Sequence, residues 1–264
     1  MTSKFMVFTG VTVSFLMLVH ETWAGLDTDE TIRISQKSHL QKAVHDLSSQ
    51  SFSFYGLEFS TNEKEALQNT KVSSTQEYNN YGNFEGLNPG VQEFIASLGE
   101  GNEENAALIS SFVERIVGGI LEVSAQESAW VCMRSFTPTN EWALPRWHVD
   151  GYYFEPYSGE PYKFAIALKG AATLFHTLPS ELREPFETLL KAGTGENNYN
   201  RQALADFLGK YPQGNVTAEP LQGAVFIVGS ERAAIHSEPP INEERLFLSV
   251  LPGTPDQIKQ WENR

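Results

Sequence analysis

The sequence has little of several features that would define its class. It contains one cysteine, Cys132, in 264 residues, which excludes an internal disulfide and a zinc site built from cysteines. Lys and Arg number 19 against 33 Asp and Glu, which gives a formal net charge of −14. Because a protein needs a basic face to bind a phosphate backbone, this balance argues against a nucleic-acid partner. The absence of any Lys/Arg cluster likewise argues against docking to anionic lipid.

The composition is otherwise that of a globular protein. Hydrophobic residues make up 41% of the chain and aromatic residues 12%, including 17 Phe. This apolar content is enough to bury a core and excludes a disordered, collagen-like or coiled-coil chain. The length is compatible with one or two domains.

The N-terminus has the three regions of a secretory signal peptide. Lys4 precedes an apolar run from Phe5 to Val19, and a short polar stretch then leads to the small residue Ala24. This order predicts a signal peptide over residues 1–24, and an uncleaved anchor or a segment of the fold are the lesser alternatives. We therefore expect an exported protein (periplasmic, secreted or lumenal) whose mature domain, residues 25–264, is not held in the membrane.

Helical patterns dominate the first half of the mature chain. In Glu103–Val123, apolar pairs recur four residues apart and predict a helix with one broad apolar face, capped by Asn102. Helices are also predicted over residues 38–49 and from Asn88, which would act as an N-cap before Pro89. The polar residues 60–86 are predicted to be a loop.

From Ala129 onward the apolar period changes to two, which predicts strands. A segment over residues 177–222, with helices predicted from Pro185 and after the cap Asn200, interrupts them. The pattern indicates an α+β fold in which helices over residues 25–128 support a sandwich or barrel over residues 129–252. The predicted strands are Trp130–Thr137, Trp147–Phe154, Lys163–Leu168, Ala172–His176, Ala224–Val228 and Arg245–Leu251.

The stretch from Arg146 to Tyr152 contains a histidine and a carboxylate with strand spacing. Side chains two residues apart on a strand lie on the same face, so His148 and Asp150 could hold one divalent metal. The competing interpretation is a surface histidine followed by an aspartate that caps a turn before Gly151.

A third ligand and a cation follow in the sequence. His236 comes shortly after the predicted strand over residues 224–228, and Arg245 lies nine residues further on. Two histidines and one carboxylate that leave coordination positions open are preferred by non-haem Fe(II) oxygenases. An arginine close to such a site can bind the distal carboxylate of a 2-oxoacid through two parallel hydrogen bonds.

This ordered set resembles the Fe(II)/2-oxoglutarate-dependent oxygenase superfamily over roughly residues 129–252. The resemblance implies a double-stranded β-helix (a cupin-like jelly roll) with supporting helices before it and inserted in it. It also implies that His148, Asp150 and His236 bind Fe(II) and that Arg245 binds 2-oxoglutarate. The implied activity is hydroxylation or another oxidation of a small-molecule or protein substrate, with conversion of 2-oxoglutarate to succinate and carbon dioxide.

The sequence departs from the family pattern after Arg245. Many members place a serine two residues later, where this chain has Phe247. Lys163 or Tyr162, on the strand after the H-x-D segment, is therefore an alternative residue for binding 2-oxoglutarate, as a strand lysine or tyrosine is in some members.

Two other functions stay open at this point. A jelly-roll module without catalysis, which binds a metal or a partner protein, would be consistent with Phe247 and with export. A Zn(II)-dependent hydrolase could use the same three ligands. Of the remaining candidates, His176 either lines the site or is a structural histidine, and Cys132 is predicted to be an inert core thiol.

Overall fold

The computed structural model describes residues 35–83, 85–155, 159–192, 200–219 and 221–264. The predicted signal peptide, residues 1–24, lies outside these ranges. Within them, no helix combines the length and apolar character needed to cross a membrane. The helices are α1 (residues 35–46), α2 (Thr61–Asn69), α3 (Leu87–Ser97), α4 (Glu103–Ser124), α5 (Ser180–Ala192), α6 (Arg201–Leu208) and α7 (Pro255–Glu262). The strands are β1 (Phe52–Gly56), β2 (Gln76–Gly82), β3 (Ser128–Phe136), β4 (Tyr162–Lys169), β5 (Leu174–His176), β6 (Asn215–Thr217), β7 (Gln222–Ile227), β8 (Ile235–Ser237) and β9 (Arg245–Gly253).

The described strands form two antiparallel sheets, as expected for an α+β fold. The larger sheet has the order β1-β7-β4-β9-β3-β2, and the smaller sheet has the order β6-β5-β8. At one residue, His148, the chain also pairs with His236 of β8. From β3 onward the chain passes back and forth between the two sheets, so segments that are distant in the sequence become neighbours.

One face of the larger sheet packs against helices α1 to α4. Because side chains alternate along a strand, every second residue of β3, β4, β7 and β9 points to this face. The apolar stripe of α4 covers it, as the sequence predicts, and together they form the main core. The strand residues in this core include Val131, Met133, Phe164, Ile166, Val225, Leu246, Leu248 and Val250.

The opposite face of the larger sheet packs against the smaller sheet. The Phe175 ring of β5 lies 4.7 Å from that of Phe52 and 5.5 Å from that of Phe226, measured between ring centroids. On the far side of the smaller sheet, helices α5 and α6 bury Phe186 and Leu204 beside Ile235. The smaller sheet is thus held between the larger sheet and the inserted helices.

The prediction that residues 60–86 are a loop is wrong, because the segment contains α2 and β2. Helix α2 begins with a capping box in which Ser60 N–H donates to Glu63 Oε2 at 2.7 Å and Glu63 N–H donates to Ser60 Oγ at 3.3 Å. This S-x-x-E signal is present in the sequence. Strand β2 has no apolar alternation because it is an edge strand, and its pairing with β3 depends on the rest of the sheet.

The predicted strand Trp147–Phe154 is also wrong, since only His148 makes a strand-like bridge. Two residues later, the Asp150 carbonyl accepts a hydrogen bond from Gly229 N–H at 2.8 Å, outside any regular ladder. The side chains of this segment therefore do not alternate as in a regular strand. The side chains of His148 and Asp150 nevertheless point to the same place.

Helix α4 begins at Glu103 as predicted but lacks its predicted side-chain cap, and the predicted starts of α3 and α5 are misplaced. Asn102 precedes α4 but does not cap it with its side chain, which instead bonds to the backbone of Lys71 and of Ile95. Asn88 lies inside α3, and its side chain bonds to Glu114 and Ser110 of α4. Helix α5 begins at Ser180 and contains Pro185, whose predicted role was to start it. In the first two cases contacts between helices take the side chain away from a local cap. For α6 the predicted cap is present, because Asn200 Oδ1 accepts from Ala203 N–H at 3.1 Å.

A buried ion pair fastens α2 to α4, and its loss should destabilise the fold. Glu63 is 4% exposed, and its Oε1 lies 2.7 Å from Arg115 Nη1. We expect Glu63→Gln to lower the free energy of unfolding at pH 7 by about 3 kcal/mol in urea denaturation, since it removes the carboxylate from a largely buried ion pair. In the matched control Lys42→Ala, which breaks a pair whose lysine is 76% exposed, we expect a loss below about 1 kcal/mol.

The same pair should make stability pH-dependent. Burial opposes ionisation of Glu63, but hydrogen bonds from Arg115 and Ser60 outweigh it and lower the pKa of Glu63 below its ordinary 4.5. A carboxyl group with a lowered pKa stabilises the fold above pH 4.5, and this contribution is lost as the pH falls below that value. Equal stability of the wild type and Glu63→Gln at pH 7 would show that the Glu63–Arg115 ion pair does not stabilise the fold.

Candidate metal centre

Three side chains of the predicted ligand set converge at one point between the two sheets. One ligand atom from each of His148, Asp150 and His236 lies within 4.8 Å of the other two. Asp150 Oδ1 is 3.7 Å from the Nε2 atom of each histidine. The two histidine rings lie side by side with centroids 4.2 Å apart.

The backbone brings the two histidines together. His148 N–H donates to the His236 carbonyl and His236 N–H donates to the His148 carbonyl, both at 2.9 Å. This double hydrogen bond is the closely spaced pair of an antiparallel ladder, which places the two side chains on the same face of the smaller sheet.

Backbone carbonyls also set the orientation of each ring. His148 Nδ1 lies 2.7 Å from the carbonyl oxygen of Arg146, and His236 Nδ1 lies 3.1 Å from that of Ala234. A carbonyl only accepts, so each Nδ1 carries a proton, and in the neutral imidazole the lone pair is then on Nε2. This is the arrangement that prepares a histidine to bind a metal through Nε2.

The charge states of the triad also suit a metal. Burial, reinforced by the neighbouring His236, lowers the pKa of His148 to about 4, so this imidazole is neutral at neutral pH. Burial on its own would raise the pKa of Asp150, but Lys163 and the two histidines lower it well below its usual range. The site therefore offers one carboxylate and a neutral imidazole, which are the protonation states that metal binding requires.

The triad lines a cavity of about 230 Å³ that also contains both residues predicted to bind the cosubstrate. Lys163 extends from β4 towards Asp150, and its Nζ lies 3.3 Å from Asp150 Oδ2. Arg245, at the start of β9, is 2% exposed, and its Nε donates to the Ala171 carbonyl at 2.8 Å. The remaining wall combines aromatic side chains with charged ones. The aromatic residues are Trp130, Phe136, Tyr153, Phe226 and Phe247, and the charged residues are Arg134, Arg146 and Glu238.

Arg245 differs from the other cations of the cavity in lacking a carboxylate partner. Within the described part of the chain no carboxylate lies within 4 Å of its guanidinium, whereas Arg146 pairs with Glu238 at 2.5 Å and Arg134 pairs with Glu77 at 2.6 Å. Burial lowers the pKa of Arg245 to about 10, so the side chain is still cationic at neutral pH. The cavity thus presents a buried positive charge that no described carboxylate contacts, and Glu238, which lines the same cavity, acts on it only at longer range.

The structure places the other candidates elsewhere. His176 lies on the far side of the smaller sheet, where its ring meets that of Trp147 edge-on at 5.7 Å. Its Nε2 is 3.1 Å from the carbonyl of Tyr211, which makes it a structural histidine. Tyr162 packs into the main core on the helix face of β4. Cys132 is buried, and burial raises the pKa of its thiol, as expected for an inert core cysteine.

One direct contact with the triad is not predicted from the sequence. Tyr153 OH donates to Asp150 Oδ2 at 2.6 Å. The residue belongs to an aromatic cluster that is visible in the sequence, but it follows Asp150 in an irregular segment, so no periodicity indicates where its ring points. The only indication in the sequence is that this tyrosine lies three residues after Asp150.

Comparisons with known proteins give distant similarities. No protein-family model matches the chain, and no curated protein matches its sequence. Among solved structures it is similar to a prolyl-4-hydroxylase from Pseudomonas putida, with 12% identity over 81% of this chain and 98% of that chain and a TM-score of 0.40. It is similar to a prolyl hydroxylase from Trichoplax adhaerens, with 8% identity over 85% and 93% and a TM-score of 0.40. It is also similar to HygX from Streptomyces hygroscopicus, solved with nickel and 2-oxoglutarate bound, with 11% identity over 79% and 85% and a TM-score of 0.37.

If the triad is a metal site, removal of either histidine should abolish tight binding. We expect His148→Ala and His236→Ala each to weaken Ni(II) binding by roughly 100-fold or more in isothermal titration calorimetry, since the loss of a ligand should exceed the 10–100-fold effect of losing an outer partner. His45→Ala, an exposed histidine of α1, is the matched control and should bind Ni(II) as the wild type does. Equal binding by all three variants would place the metal elsewhere.

Proposed function

We propose that this chain is an Fe(II)/2-oxoglutarate-dependent oxygenase. The observation that carries the proposal is the convergence of His148, Asp150 and His236 in a cavity that also holds the guanidinium of Arg245. A metal-binding triad alone would suit several classes of protein. The added cation, which has no described carboxylate partner, favours a site that binds an anionic cosubstrate next to the metal.

We also propose that the two sheets are the halves of a double-stranded β-helix. In support, the chain alternates between the sheets, and the order of the larger sheet places β3 and β9 side by side, as it does β4 and β7. Including the bridge at His148, the smaller sheet gains a fourth position next to β8. The proposed metal site then lies between the sheets, and the helices α1 to α4 support the outside of the larger one.

The donor set fits Fe(II). Two imidazole nitrogens and one carboxylate oxygen form a set that leaves coordination positions open for other ligands. When bound, Fe(II) would supply the oxidising chemistry of this enzyme class, with 2-oxoglutarate and dioxygen as the other reactants. His148 and His236 contribute Nε2 atoms already freed by the hydrogen bonds at Nδ1, and Asp150 contributes Oδ1.

Arg245 is the proposed partner of the distal carboxylate of 2-oxoglutarate. Its guanidinium carbon lies 4.4 Å from the ring centroid of Phe247, so Phe247 packs against the cation. With Nε bonded to Ala171, the two terminal nitrogens are available for two parallel hydrogen bonds to a carboxylate. Phe247 thus supports Arg245 by packing, where many family members have a serine. Lys163 is the weaker candidate for this role because it already contacts Asp150.

The size of the cavity bears on the substrate. About 230 Å³ is below the roughly 300–1,000 Å³ of pockets that enclose a drug-sized ligand. We therefore propose that the cavity holds the cosubstrate and that the substrate, a small molecule or a protein, presents only its reacting group there. Export directed by residues 1–24 remains part of the proposal, and the net charge of −14 disfavours a polyanionic substrate.

Anaerobic titration with Fe(II) and then 2-oxoglutarate tests the function. We expect a visible metal-to-ligand charge-transfer band and, after oxygen is admitted, succinate. His148→Ala should give neither. Arg245→Met should raise the 2-oxoglutarate concentration for half-maximal absorbance by about 100-fold, since it removes two charge-assisted hydrogen bonds. Arg183→Met, which changes an arginine of α5 outside the cavity, is the matched control.

The other outcomes discriminate between the alternatives. Metal binding without a band or succinate would contradict the oxygenase and leave a metal-binding module. Tight retention of Zn(II), with hydrolysis of ester substrates that is lost in His148→Ala, would indicate a zinc hydrolase that uses the same ligands.

A further inference from the structure

The two oxygens of Asp150 have different surroundings. Oδ1 faces both histidines, at 3.7 Å from each Nε2. Oδ2 faces away from them and accepts hydrogen bonds from Tyr153 OH at 2.6 Å and from Lys163 Nζ at 3.3 Å. One oxygen is therefore directed at the proposed metal position, and the other is bonded to the protein.

Tyr153 and Lys163 are also bonded to each other. Lys163 Nζ donates to Tyr153 OH at 2.8 Å. The ammonium has no acceptor lone pair, so the tyrosine oxygen must accept this bond and use its own proton for Asp150 Oδ2. The three groups form a closed ring of hydrogen bonds in which the direction of every bond is fixed.

Aromatic packing holds Lys163 in this position. Its Nζ lies 4.8 Å from the ring centroid of Tyr153 and 5.2 Å from that of Trp130. Trp130 is in turn 8% exposed and anchored by a hydrogen bond from its Nε1 to Asn79 at 2.7 Å. A lysine with its charge over two rings and beside a carboxylate has little freedom to move towards another anion.

We propose that Tyr153 and Lys163 are positioning residues that restrict Asp150 to one-oxygen coordination of the metal; we call the pair the Tyr153–Lys163 clamp. The inference rests on the proposed metal site. A carboxylate can bind a metal through one or both oxygens. With Oδ2 engaged by two donors, only Oδ1 is available, and the coordination position that a second oxygen would occupy stays free for an exogenous ligand.

The clamp also gives Lys163 and Arg245 different roles in the cavity. Lys163 balances the charge of Asp150, whereas Arg245 has no described carboxylate beside it. From the sequence, Lys163 is an alternative residue for binding 2-oxoglutarate. In this proposal it positions the metal ligand Asp150 instead.

Co(II) binding to the full-length protein and its variants tests the clamp without turnover. Calorimetry gives the affinity, and the visible ligand-field spectrum reports the coordination number. We expect Tyr153→Phe and Lys163→Met each to weaken Co(II) binding by about 10-fold and to change the band intensity as the second oxygen joins the metal. Because the lysine orients the tyrosine hydroxyl, the double variant should lose less than the product of the two single losses.

Matched controls separate the clamp from general damage. Tyr152→Phe changes the adjacent tyrosine, which is 47% exposed, and Lys42→Met changes an exposed lysine; both should keep the affinity and spectrum of the wild type. Tyr153→Phe removes a single oxygen atom, so it serves as the deciding variant if Lys163→Met does not fold.

Two results would overturn the inference in distinguishable ways. Wild-type Co(II) affinity and an unchanged spectrum in Tyr153→Phe would refute the clamp and leave the proposed function standing. Failure of the wild-type protein itself to bind Co(II) would refute the metal site and, with it, the clamp.

Discussion

The candidate site depends on one pair of backbone hydrogen bonds between residues 148 and 236. These bonds join a segment that otherwise has no regular strand to β8, and they are what brings the two histidine rings to 4.2 Å. Asp150, two residues further along, then meets both rings, and the Asp150 carbonyl is fixed in turn by Gly229. The backbone therefore fixes where the three candidate ligands lie along the chain, and contacts such as the hydrogen bond from Tyr153 to Asp150 orient their side chains.

The two faces of the larger sheet differ in polarity: one buries apolar side chains, and the other carries the charged residues of the candidate site. The helix face buries the main apolar core against α4. The other face is free to carry Lys163 and Arg245 on β4 and β9, whose neighbours on both sides fix their register. Buried charges are costly unless paired, and here Lys163 is paired with Asp150 within the protein. Of these two cations, Arg245 is the one that no described carboxylate contacts, which is why it is the proposed partner of 2-oxoglutarate.

Much of this arrangement can be predicted from the sequence, and two of the failures, strand β2 and the segment around His148, share a cause. Helix α4 and strands β3, β4, β7 and β9 were identified from periodicity because each has an apolar face that a core requires. Strand β2 and the segment around His148 were not, since an edge strand and a single bridge take their structure from distant partners. The residues His148, Asp150, His236, Lys163 and Arg245 were named from order and chemistry, and the structure brings them into one cavity. The hydrogen bond from Tyr153 to Asp150 could not be predicted, because the direction of the Tyr153 ring is set by tertiary contacts with Lys163 and Trp130.

In the proposed site one metal ion is held by these two histidines and one oxygen of Asp150. An anaerobic crystal structure of the Fe(II)-loaded protein, with diffraction data on both sides of the iron absorption edge, tests this directly. We expect an anomalous peak about 2.0–2.2 Å from Nε2 of His148, Nε2 of His236 and Oδ1 of Asp150. Iron bound at any other place, or no anomalous peak between the three side chains at saturating Fe(II), would contradict the proposed site.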